Sequence, residues 1–221
     1  MYIYSKEFFE SKHADSLSSA IDVIPIIMEI IQPRSVLDVG CGTGTWLKVF
    51  RKKHRVRDIF GVDGEYVDRR QLEISRRKFF PYNLENPLDL GRQFDLVVTL
   101  EVAEHISEKS ANTFVQSLVN HSPVVLFSAA IPDQGGDHHV NEQWPDYWIH
   151  KFKEHDYLVV DCIRDKVWES ETVGWWYAQN MFIFVKREYI SNYPELYSQY
   201  KDVNPASFRR VHPKNQLSSL E

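Results

Sequence analysis

The stretch that most constrains this chain is VLDVGCGTGTWL, Val36 to Leu47. An apolar run carrying Asp38 breaks into Gly40, Gly42 and Gly44 at alternate positions, and a helix-friendly run opens at Thr45. Glycines meet two needs in such a place: positive φ for a tight strand-to-helix turn, and a bare backbone that a ligand can approach closely. Dinucleotide sites use the same logic, but their fingerprint sets the third glycine three positions after the second. Here Thr45 holds that position and Gly44 comes one residue early.

The rest of the chain alternates strand-length apolar runs with amphipathic stretches. Strands are expected at 35–39, 58–62, 94–100, 124–130, 157–163 and 180–186, and a weaker one at 78–84, where Pro81 suits a sheet edge. Most of these runs are continuous rather than alternating, as in strands covered on both faces. Helices are expected at 22–33, 45–54, 110–121 and 145–155. The pattern predicts an α/β fold, a mainly parallel sheet with helices on both faces. At 221 residues the chain suits one domain, 1–187, with an N-terminal helical cap, followed by a tyrosine-rich C-terminal extension, 188–221. That tail is a candidate dimerisation surface.

Composition narrows the function classes. A net charge of -5 argues against a general nucleic-acid coat. Cys41 and Cys162 lie far apart with no zinc-site or disulfide-framework spacing, as expected of a cytoplasmic protein. The most apolar stretch, 21–31, contains Asp22, Pro25 and Glu29 and is too short to span a bilayer.

Asp38 and Asp63 indicate what the glycine loop holds. A carboxylate at Asp38 repels a pyrophosphate but suits the ammonium group of a cofactor that carries an amino acid. Asp63 ends the second strand, nineteen residues after Gly44, where a carboxylate accepts hydrogen bonds from both ribose hydroxyls. Together they favour S-adenosylmethionine over NAD.

On Asp38, the three glycines, Asp63 and FDLVVTLEVAEHI (94–106), the chain resembles the class I S-adenosylmethionine-dependent methyltransferases over roughly residues 20–187. The resemblance implies a Rossmann-like seven-stranded sheet whose last strand runs antiparallel, with the cofactor across the carboxyl ends of the first strands. It also implies Asn83 and Leu84 at the adenine and Glu101 and Val102 in the loop after the fourth strand. Many such enzymes have an acid where this chain has Asn83. SAAIPDQGGDHHVNEQWPDYW (128–148) and WWYAQN (175–180) are similar to a narrower group presumed to modify glycans or secondary metabolites.

Methyl transfer from a sulfonium chiefly needs alignment and exclusion of water. A hydroxyl acceptor also needs a base or a metal, because its pKa is high. The segment GGDHHVNEQWPDYW (135–148) follows the fifth strand and so overhangs the ligand edge of the sheet. In one reading His138 or His139 is the general base. In a second, Glu101, Glu104, His105 and a later histidine hold a metal, a set similar to that of the small-RNA terminal 2'-O-methyltransferases. In a third, the glycines turn the chain, the histidines bond their neighbours, and Trp144, Tyr147 and Trp148 begin a helix packed on the sheet.

Trp144 and Trp148, four apart, with Trp175 and Trp176 form a candidate flat wall for a sugar ring, beside His105 on the substrate side. Tyr2, Tyr4, Phe8 and Phe9 are a candidate lid. The basic run 51–57 ends the helix that leaves the glycine loop, so it points away from the ligand edge and complements the helix dipole. The expected function is O-methylation of a saccharide or small-metabolite hydroxyl with a histidine base and no metal. Metal-dependent methylation of an RNA 3'-terminal ribose, or cofactor binding without catalysis, are the alternatives.

Overall fold

The computed structural model describes residues 6–218, with side-chain surroundings for residues 14–215. Tyr2, Tyr4 and the side chains of Phe8 and Phe9 lie outside the described residues. The chain opens with helix α1, Lys6–Ile30, which begins well before the expected 22–33. Its buried positions, Ala20, Val23, Ile24, Ile27 and Ile30, recur at the three- and four-residue spacing of one helical face. Pro25, lacking a donor, sits on the exposed side of this helix.

Seven strands follow: β1 Ser35–Val39, β2 Asp58–Asp63, β3 Phe79–Pro81, β4 Leu96–Leu100, β5 Val124–Ser128, β6 Tyr157–Val160 and β7 Phe182–Lys186. They form one sheet in the order β3-β2-β1-β4-β5-β7-β6. The first five are mutually parallel, and β7 runs antiparallel to both β5 and β6. Pro81 ends β3, which is the edge strand, where the missing donor breaks no ladder bond.

Alternate residues along each strand feed opposite layers. In β5, Val124 and Leu126 join the layer beneath α1 and helix α2, Thr45–His54, while Val125 and Phe127 join the layer beneath helices α3, Ala111–Val119, and α4, Pro145–Lys153. Cys41 and Cys162 are free thiols, both buried. Among the described residues no helix is long and apolar enough to cross a membrane.

The segment after Lys186 returns over the sheet. Helix α7, Pro194–Gln199, buries Leu196 completely, and Phe208 packs edge-on to Phe182 with ring centroids 5.7 Å apart. Arg164 opens the short helix α5, Arg164–Val167, and ties this segment down. It is 1% exposed, pairs with Asp161, and donates to the carbonyls of Gln179 and Phe208 at 3.1 and 3.0 Å.

Candidate active site

Chain order places a switch point at β1 and β4, because successive strands step outward from β1 to β3 and then return to the other side of β1. Ligands of open α/β sheets bind at such a point, beyond the carboxyl ends of the strands. A cavity of about 1530 Å³ opens there, and the glycine loop forms part of its wall.

Strand β1 gives way to Gly40, whose N–H bonds the Val62 carbonyl at 2.8 Å. Gly40 has φ +84°, and a Cβ there would lie 2.2 Å from a Val102 methyl, so only glycine lets the loops after β1 and β4 meet. Gly42 has φ +53°, faces open space and donates to Asp63 Oδ2 at 2.6 Å. Gly44, with φ 88°, is the N-cap of α2. The basic run that ends α2 points away from the cavity, with Arg51, Lys52 and Lys53 exposed.

Asp38 and Asp63 face the cavity at 3% and 4% exposure. Burial, with repulsion from Asp63, pushes the Asp38 carboxyl well above its ordinary range. Burial also raises Asp63, against hydrogen bonds from the Tyr66 phenol and the amides of Gly42 and Gly64. Two neighbouring carboxylates in one pocket form a receptor for hydroxyls and an ammonium group. Asn83, Leu84, Glu101 and Val102 line the same cavity.

On the acceptor side, β5 leads into the loop 129–144, which covers the turn after β4. The amides of Val140 and Asn141 both donate to the Glu104 carbonyl, at 2.9 and 3.0 Å, and so fasten the two loops together. His105 Nδ1 lies 3.2 Å from the His138 carbonyl and His139 Nδ1 lies 2.7 Å from Glu142 Oε1. A carbonyl and a carboxylate accept, so each Nδ1 donates, which in a neutral ring assigns the lone pair to Nε2. The two imidazoles stand edge to face, 4.9 Å between centroids.

Glu104 lies beside them and is fully buried. Its Oε1 is 4.0 Å from His139 Nε2, and among the described residues no side chain hydrogen-bonds the carboxylate, toward which the amides of Glu104 and Ala130 point. Burial, with repulsion from Glu101, drives its carboxyl well above the ordinary range. One ligand atom from each of Glu104, His105 and His139 falls within 4.8 Å of the others.

Glu101 is held apart from that group. Its backbone is left-handed, φ 55°, a strain of about 1–2 kcal/mol for a residue with a Cβ. Its carboxylate accepts from Gln134 Nε2 at 3.0 Å and from Asn180 Nδ2 at 3.2 Å. Gln134 Oε1 in turn accepts from Gln179 and Asn180, both at 2.9 Å, and Gln179 Oε1 accepts from the His212 amide at 2.8 Å. The segment WWYAQN thus anchors Glu101 through its last two residues, which belong to helix α6, Trp175–Asn180.

The aromatic wall needs correction. Trp148 is 2% exposed, its ring 5.4 Å from that of Phe127 in the core beneath α4. Trp144 is the N-cap of α4, with Arg209 over its ring, and does not line the cavity. Pro145 fixes the start of the helix, so Trp148 falls on the same inward face as Ile149 and Phe152. Trp175 and Trp176 do line the cavity, but at 80° to one another they make a corner rather than a flat wall.

Glu142, Gln134, Gln179 and Tyr66 escaped the sequence reading. Glu142 and Tyr66 had local signals, three residues after His139 and three after Asp63; Gln134 and Gln179 act through distant partners.

The family described as a methyltransferase domain matches residues 13–181, and the chain belongs to that family. Similar solved structures include the sugar N-methyltransferase KedS8 from Streptoalloteichus sp ATCC 53650, at TM-score 0.63 and 17% identity, covering 85% of this chain and 97% of that one. The amino pentose methyltransferase CalS10 from Micromonospora echinaspora, solved with S-adenosylmethionine bound, aligns at TM-score 0.57 and 15% identity over 84% and 99%. The methyltransferase domain of bacterial CtHen1-C aligns at 0.58 and 17% over 77% and 98%. At these identities the likeness is one of fold. No curated protein matches the sequence.

Proposed function

We propose that this chain transfers the methyl group of S-adenosylmethionine to a hydroxyl of a saccharide or small metabolite, with His139 as general base. The observation that carries this reading is the Glu142–His139 pair, Nδ1 to Oε1 2.7 Å, with His139 lining the cavity. CalS10 binds S-adenosylmethionine on the same fold, and the residues here suit that cofactor. Asp63 meets the ribose, Asp38 the ammonium group, and Asn83 and Leu84 the adenine. The bound sulfonium supplies an electrophilic methyl group. The new bond is oxygen to methyl carbon, the broken bond is methyl carbon to sulfur, and the hydroxyl proton passes to His139 Nε2. Glu142 fixes the tautomer and stabilises the imidazolium that forms. His105, Trp175 and Trp176 shape the acceptor side, and His138 contributes its carbonyl to orient His105.

The test pairs two measurements on the purified chain. S-adenosylhomocysteine should raise the melting temperature and NAD should not. Labelled methyl transfer to a panel of glycosides should be lost in His139→Ala. Cofactor binding with no methyl transfer to any acceptor would leave a non-catalytic binding module.

A second reading has one observation in its favour, the buried Glu104 carboxylate within 4.8 Å of ring nitrogens of His105 and His139. Glu104, His105 and His139 would hold a divalent cation, which lowers the pKa of an acceptor hydroxyl, as in methylation of an RNA 3'-terminal ribose. Loss of turnover on chelation, restored by manganese, would establish it.

A further inference from the structure

We infer that the acceptor is an uncharged saccharide and that phosphorylated sugars, nucleotide-linked sugars and RNA ends are turned away; this rests on the methyl-transfer reading above. The cavity, about 1530 Å³, exceeds the roughly 300–1,000 Å³ typical of a site for one drug-sized ligand. Beyond the donor there is room for an acceptor of at least one sugar ring. What lines that room is acidic. Besides Asp38 and Asp63, the lining includes Glu65, Glu85, Glu101, Glu104 and Asp137; Glu104 is buried and Glu101 is engaged by Gln134 and Asn180, which leaves Glu65, Glu85 and Asp137 as the open carboxylates, and among the described residues no lysine or arginine lines the cavity.

Glu85 is fixed in place. It accepts from the Ser107 amide at 2.8 Å and the Ser107 hydroxyl at 2.6 Å, and these bonds outweigh its burial and hold its carboxyl below the usual range. Arg70 belongs to the loop that sends Gln71 into the cavity, but its guanidinium is engaged by Asp68 and does not line the wall. A phosphate or diphosphate would therefore lose its water beside carboxylates, with no lysine or arginine among the described lining residues to pair with and Lys109 near Glu85 left exposed outside the wall, an arrangement that excludes by repulsion. Neutral hydroxyls meet acceptors instead: the carboxylates, with Gln71 and Asn83. The Trp175–Trp176 corner and Tyr82 offer apolar faces for the C–H side of a ring.

The test compares matched acceptors. Methyl glycosides of common hexoses, pentoses and deoxyhexoses are assayed against the same sugars as 1-phosphates and nucleoside diphosphates, and against a short RNA with a free 3' end. Each is run with chelator and with manganese. The expected result is a kcat/KM at least tenfold higher for a glycoside than for its phosphorylated partners. Glu85→Gln combined with Asp137→Asn should narrow that ratio. A phosphorylated sugar or RNA turned over as well as the glycoside, with or without metal, overturns the inference while leaving methyl transfer intact.

Should no acceptor turn over, collisional quenching decides. The fluorescence lost in a Trp175→Phe/Trp176→Phe variant reports the cavity. At equal ionic strength the caesium-to-iodide quenching ratio of that component should exceed the ratio for free N-acetyltryptophanamide several-fold, and a ratio equal to or below the free value overturns the inference.

Discussion

His139 Nδ1 and Glu142 Oε1 lie 2.7 Å apart, and the same oxygen accepts from the Gly135 amide at 2.9 Å. One carboxylate thus sets both the histidine tautomer and the turn that carries it. His139→Ala should lower kcat by about 10²- to 10⁴-fold, the usual worth of a positioned base, with cofactor affinity unchanged. Glu142→Gln should lower kcat less and move the acidic limb of the pH–rate profile to lower pH. Equal losses in kcat and cofactor binding for His139→Ala would show that the loop, not the base, had failed.

Asp63 makes a counter-intuitive prediction. A carboxylate offers about four acceptor sites, and three are taken: by Gly42 at 2.6 Å, Gly64 at 2.6 Å and the Tyr66 hydroxyl at 2.5 Å. A ribose diol needs two, so the Tyr66 hydroxyl must yield one. Tyr66→Phe should tighten S-adenosylhomocysteine binding about three- to tenfold by calorimetry, and Asp63→Ala should abolish it. Weaker binding by Tyr66→Phe would mean that the phenol contacts the bound cofactor.

Acid should weaken cofactor binding early. In the proposed complex the ribose hydroxyls donate to ionised Asp63, and burial raises the pKa of this group in the free protein. Affinity should therefore begin to fall, as pH drops, above the usual carboxylate range. The same raised pKa makes ionised Asp63 a cost to folding at neutral pH that lessens on acidification. Calorimetry across pH 4 to 8 checks the sign; Asp63→Asn should flatten the curve.

The Glu104 cluster has its own readout. If a cation binds there, manganese at about a hundred times its Kd adds about 2.7 kcal/mol of stability. At about 2–4 °C per kcal/mol for a chain of this size, the melting temperature should rise by several degrees, and Glu104→Gln should remove the rise. No shift in the wild type would leave His139 as an unaided base.

Arg164→Met should cost about 3–5 kcal/mol, since it strands the Asp161 carboxylate and two main-chain carbonyls around a buried site. Urea denaturation would show it, with a midpoint shift and an unchanged slope.

The glycine loop, Asp38 and Asp63 could be read in advance because a turn, a helix start and a strand end are local events that leave local signatures. Pro81 likewise announced an edge strand. Trp148 misled because four-residue spacing places two aromatics on one face without saying which way that face looks; the Pro145 helix start decided it. The support of Glu101 was out of reach for a different reason. Gln134, Gln179 and Asn180 are unremarkable amides whose partners lie dozens of residues away, and only the antiparallel return of β7 beside β5 brings them together.

The bond from the His212 amide to Gln179 has a consequence for synthesis. A growing chain that has reached Lys186 already contains the whole sheet, the glycine loop and both ribose-facing elements. It lacks the residue that caps the amide chain behind Glu101. A nascent polypeptide would be able to hold its methyl donor before its acceptor side was set, and the two halves of the site would mature in that order.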